Sequence, residues 1–101
     1  GVMTGVTGNE NQIPSDYSLS QNYPNPFNPG TKISFSLPEA SFVKMVVYDI
    51  TGKEVEILVN EAMNAGSYEV DFNASRLTSG VYFYRITADG FTETKKMILT
   101  K

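Results

Sequence analysis

The chain of 101 residues contains no histidine, no cysteine and no tryptophan. Without histidine the usual general base near neutral pH is missing. Without cysteine there is no thiol nucleophile, thiolate ligand or disulfide. Catalysis would have to rest on carboxylates, and these are scattered. Glu54 and Glu56 share one strand face and Glu69 and Asp71 another, which solvated outer faces explain more simply. No catalytic, cofactor-binding or metal-ligating residue is therefore assigned, and the chain reads as a non-enzyme without a cofactor. Lack of cysteine leaves export open, since it removes only one line of evidence about the compartment.

Long apolar runs are lacking too. No stretch approaches the roughly 18 apolar residues of a membrane-spanning helix, and no signal peptide stands at the start. The chain opens on Gly1 rather than methionine, so a piece of a longer protein is expected. No DxDxDG-type loop is present, which leaves Asp49 and neighbouring loop oxygens as a weak calcium candidate. No glycine pattern suits a phosphate. Asn73-Ala74-Ser75 matches the Asn-x-Ser sequon, with a turn as the simpler meaning. The net charge of -3 and a pI near 4.8 argue against a nucleic-acid partner.

What the chain does contain is strand-forming. Six tyrosines and six phenylalanines favour sheets over helices, and apolar residues alternate in short runs. Residues 31–37 place Ile33, Phe35 and Leu37 on one face. Residues 42–49 do the same with Val43, Met45 and Val47, and residues 67–72 with Tyr68, Val70 and Phe72. Residues 53–59 are ambiguous, with Val55 and either Ile57 or Leu58 inward, and 60–66 read as a loop with room for one helical turn. Residues 17–22 alternate weakly as a short first strand. Seven short strands at turn spacings of about 8–12 residues predict an all-β, immunoglobulin-like antiparallel sandwich. Residues 1–16, rich in Gly, Thr and Asn, are expected to be a flexible linker or tag remnant, with an added edge strand as the alternative.

The closing segment is the most constrained. Asp89-Gly90 between two alternating runs predicts a tight hairpin of type I′, and a two-residue loop dictates the register. Tyr82 then faces Met97, Tyr84 faces Lys95 and Gly80 faces Leu99. On the opposite face Val81 meets Ile98, Phe83 meets Lys96 and Arg85 meets Thr94. Tyr82 near the start of its strand suits a tyrosine corner, with an ordinary core tyrosine as the rival. Seven of the eleven acids lie between Glu39 and Asp71, whereas Lys95, Lys96 and Lys101 crowd the last strand. That basic strand beside Val81, Phe83 and Ile98 is either a docking surface or a protected sheet edge. In NYPNPFNP (22–29) three prolines exclude a helix or central strand and predict an ordered, PPII-like loop that Tyr23 and Phe27 pin to the body. It serves as a rigid corner or, alternatively, as a partner site.

Four of these runs, LSQNYPNPFNP (19–29), VYDITG (47–52), SGVYFYR (79–85) and KMIL (96–99), resemble the C-terminal sorting domain of type IX secretion cargo in Bacteroidetes and related bacteria. The fold is also similar to the immunoglobulin-like domain of flagellar hook-capping proteins. The likeness runs from about Tyr17 to Lys101, giving a sorting domain at 17–101. It implies a non-catalytic signal that directs a covalently continuous N-terminal cargo across the outer membrane to the cell surface, read by a β-barrel shuttle and a surface sortase. Processing is implied in the linker before Tyr17. Recognition is implied at Gly80, Tyr82, Lys96, Met97, Ile98 and Leu99. The hairpin register adds Phe83 and Arg85, the basic final strand adds Lys95, and the register gives Tyr82, Tyr84, Met97 and Leu99 to the core. A monomer is expected. The alternative is a structural or carbohydrate-binding accessory module of an extracellular enzyme, stacking Tyr48 or Phe83 on sugar rings.

Overall fold

The computed structural model describes residues 6–9 and 13–101 of the chain. Eight strands follow in order: β1 (Val6–Asn9), β2 (Ser18–Leu19), β3 (Gly30–Leu37), β4 (Ser41–Tyr48), β5 (Glu54–Met63), β6 (Gly66–Asn73), β7 (Gly80–Ala88) and β8 (Phe91–Leu99). They form two four-stranded antiparallel sheets, ordered β1-β6-β3-β2 and β5-β4-β7-β8. Lettered A, B, C, C′, E, F and G, strands β2 to β8 give the sheets A-B-E and C′-C-F-G of an immunoglobulin-like sandwich. The seven expected strands are present and β1 is an eighth, pairing Val6 with Val70 on the outer edge of β6. Of the linker expected at 1–16, residues 1–5 and 10–12 lie outside the described residues.

Alternation carries directly into packing. Ile33, Phe35, Leu37, Val43, Met45, Val47, Val70 and Phe72 are all buried between the sheets. The β7–β8 register agrees with the expectation pair by pair, from Gly80 opposite Leu99 to Ala88 opposite Phe91. The turn itself differs. Asp89 alone takes a positive φ, 48°, and Gly90 stays outside the left-handed region, so the type I′ assignment does not hold. A two-residue loop fixes the pairing of the strands whichever primed turn closes it, so the register survives the change.

The ambiguity at residues 53–59 is resolved by two irregularities in β5. Its pairing with β4 slips between Met45 and Val46 and again between Val47 and Tyr48, and each bulge reverses which face later residues occupy. Val55 and Leu58 therefore both pack against the core, while Ile57 is exposed. The expected loop at 60–66 is strand as far as Met63, which is buried opposite Ser41.

Two tyrosines of β7 hold the sandwich closed. Tyr82 forms the tyrosine corner, its hydroxyl donating to the Thr78 carbonyl at 2.7 Å. Tyr84, fully buried, donates to the Ser20 carbonyl at 2.7 Å and accepts the Asn22 N–H at 2.8 Å. It thereby ties the segment after β2 to the opposite sheet. Beside it, the Asn22 amide donates to the Pro24 carbonyl and the Thr31 hydroxyl, both at 3.1 Å, and Thr31 donates to Pro24 at 2.9 Å. Burial pushes the Tyr84 hydroxyl up to about 12, because a phenolate is desolvated there.

Tyr84→Phe leaves the buried Asn22 N–H unpaired and takes the hydroxyl from the Ser20 carbonyl, so urea denaturation should show a loss of about 1–3 kcal/mol. The folded state keeps its phenol protonated while the unfolded chain ionises first. The stability tied to this group is therefore complete below about pH 10 and lost between about pH 10 and 12. Denaturation midpoints measured across that window should fall more steeply for the native chain than for Tyr84→Phe.

Candidate recognition face and its strap

The outer face of the β5-β4-β7-β8 sheet follows from the register. One row runs Glu54, Tyr48, Phe83, Lys96; the next runs Ile57, Val46, Arg85, Thr94. Lys44 and Thr87 pair in the row beyond, with Thr92 beside Thr87. Val81 and Ile98 are partners at the lower end, and Phe42 stands exposed at the upper end of β4. Period-two alternation sends these side chains outward because their neighbours fill the core.

The sequence-derived residues divide between the two faces. Tyr82, Met97 and Leu99 are buried in the sandwich, so their side chains hold the strands rather than face a partner. Phe83, Lys96, Ile98 and Arg85 lie together on the outer face. Lys95 points to the other side, where its ammonium sits 3.1 Å from Glu93. Gly80 begins β7 at φ 155°, a backbone angle that strains any side chain, although a Cβ would meet no atom within 4 Å. Of the sugar-stacking candidates, Phe83 is half-buried and Tyr48 has the Arg85 guanidinium 5.4 Å over its ring. Lys44 and Ile57 were missed. They come from β4 and β5, and only the pairing of β4 with β7 brings them beside the hairpin.

Charge on this face is unbalanced. Arg85 donates to the Thr94 hydroxyl at 3.2 Å, and among the described residues Lys44, Arg85 and Lys96 have no carboxylate partner. On the opposite sheet Lys32 is paired, 2.8 Å from Asp71 and 3.3 Å from Glu69. Hydrogen bonds to Asp71 and Glu69 raise the Lys32 ammonium above the ordinary lysine value. Asp49, the calcium candidate, spends one carboxylate oxygen on its own turn. That oxygen accepts the Thr51 N–H, the Thr51 hydroxyl and the Lys53 N–H. The Thr51 hydroxyl is the chief cause of its lowered pKa. Asn73 accepts the Ser75 N–H at 2.8 Å, which is a turn.

β8 is an edge strand, and the proline-rich loop straps its lower half. The Phe27 N–H donates to Ile98 at 3.0 Å, and the Thr100 N–H donates to Phe27 at 2.9 Å. The Ile98 N–H donates to the Asn25 side chain at 3.0 Å, and Gln21 donates to the Lys96 carbonyl at 2.7 Å. Phe27 is buried, as the sequence implied, and lies 6.1 Å from Phe72 between ring centres. Tyr23 does not pin the loop through its ring, which is 81% exposed; its backbone pairs with Lys32 instead. The loop thus adds a single-residue bridge to β8.

Comparison with known families decides what this arrangement belongs to. The model of the secretion system C-terminal sorting domain matches residues 21–100. The chain is a member of that family. It is a type IX sorting domain, whose role is to mark a protein for export to the cell surface or for secretion. No curated protein and no solved structure matches the chain. The match starts at Gln21 and ends at Thr100, and both of these residues are strap contacts. In the sorting domain, the NYPNPFNP and KMIL runs are therefore two sides of one joint.

Phe27→Ala should remove the plug of that joint and cost about 3–5 kcal/mol in chemical denaturation. Asn25→Ala is milder. By hydrogen exchange it should deprotect the Ile98 amide while leaving amides in the β7–β4 ladder at native rates.

Proposed function

We propose that the sorting domain, taken as residues 17–101, is a non-catalytic label. It presents a covalently continuous N-terminal cargo to the outer-membrane machinery, a β-barrel shuttle and a surface sortase, with residues 1–16 as the connector. The observation that supports this is the outward cluster of Phe83, Arg85, Lys96 and Ile98 on the strands that carry the family's last two signature runs. The face is rigid, since the core beneath it is closed by Tyr82, Tyr84, Met97 and Leu99. A flat, preformed surface of half-buried apolar and basic groups suits recognition without folding on contact.

The test is a reporter fused ahead of the chain in a host with a type IX system. Deleting 96–101 removes Met97 and Leu99 from the core, so its loss of display would reflect unfolding. The double variant Phe83→Ser with Lys96→Glu changes only the outer face. We expect surface display to fall about tenfold while the melting temperature shifts by no more than a few degrees. Native display by that variant, folded, would refute the assignment.

A further inference from the structure

Among the described residues three cations on the outer face lack carboxylates, and they are not placed at random. Lys96 on β8, Arg85 on β7 and Lys44 on β4 stand one row apart on successive strands, a diagonal across the sheet. Apolar groups flank the diagonal: Phe83 and Tyr48 on one side, with exposed Ile57 in the row of Arg85 and Val46 buried beside it. Glu54 is the acid at the end of a row. The outer face of the other sheet carries Glu69 and Asp71 around Lys32. A domain of net charge -3 thus turns one positive, partly apolar face outward and keeps acids on its back. Such a distribution orients the domain during approach to an anionic surface.

We propose that this diagonal docks on an acidic protein surface, with carboxylates opposite Lys44, Arg85 and Lys96 and an apolar contact over Phe83. The proposal rests on the reading of this face as the one gripped during export. Three cations separated by aromatic and aliphatic groups suit a partner with its own carboxylates around an apolar knob. An anionic membrane is held by denser clusters of about four to eight basic residues, and this face has three. Arg85 is preorganised for such a contact, because Tyr48 supports its guanidinium and Thr94 holds its Nε.

The experiment uses the same reporter fusion, with every variant checked for a native melting temperature. The reversal Lys44→Glu/Arg85→Glu/Lys96→Glu should lower display at least about tenfold, and the corresponding glutamines about two- to threefold. Lys53→Glu/Arg76→Glu, off this face, should display normally. Phe83→Ser alone reports on the face itself. If Phe83→Ser lowers display and the reversal does not, the gripping face stands and the acidic partner is refuted. If neither lowers display, the face reading falls and takes the proposal with it. Equal loss from the off-face pair would trace the effect to net charge and overturn the proposal. In a separate arm, the purified chain should not sediment with vesicles of phosphatidylcholine and phosphatidylglycerol. Sedimentation abolished by the reversal would assign the diagonal to lipid instead.

Discussion

The hydroxyl of Tyr84 is the group on which the rest of the structure depends. It lies in the core yet satisfies one carbonyl and one N–H from the segment that leaves β2. Without it, the buried Asn22 N–H would be left without a partner, which is costly. With it, the chain is delivered in register to the Asn22–Thr31–Pro24 cluster, and from there to Phe27 and the edge of β8. The sequence alternation builds the two sheets. This one polar contact sets how they close on the β8 side.

That closure explains why core and surface can be assigned different work within one hairpin. Tyr82, Met97 and Leu99 are fixed by packing, so the outward residues between them sit on strands that cannot slide without turning a buried side chain to water. The strap prevents a second kind of disorder. An unprotected edge would invite pairing with another chain, and Phe27 occupies that position at Ile98 and Thr100.

Much of this was legible in the residues. Strict alternation at 31–37 and 67–72 gave the core of one sheet, and Asp89-Gly90 gave the β7–β8 register without reference to anything distant. What escaped notice has a common physical cause. The bulges in β5 reverse parity at places where no glycine or proline marks them, so the choice between Ile57 and Leu58 stayed open. The strap depends on pairing between a loop and a strand far along the chain, and local pattern carries no sign of it. Tyr84 looked like an ordinary core aromatic because its ring is apolar wherever it packs. Lys44 joined the outer face only once β4 was known to lie beside β7.

The strap also bears on the order in which the chain can fold. Asn25 and Gln21 find their partners 73 and 75 residues later, at Ile98 and Lys96. During synthesis from the N-terminus the loop has nothing to bind until β8 has emerged. A ribosome that stops before β8 releases a chain whose Phe27 has lost the strand it bonds to and whose Tyr82 faces no Met97. The outer face exists only on the completed sheet. A surface built this way is complete only once translation has passed β8.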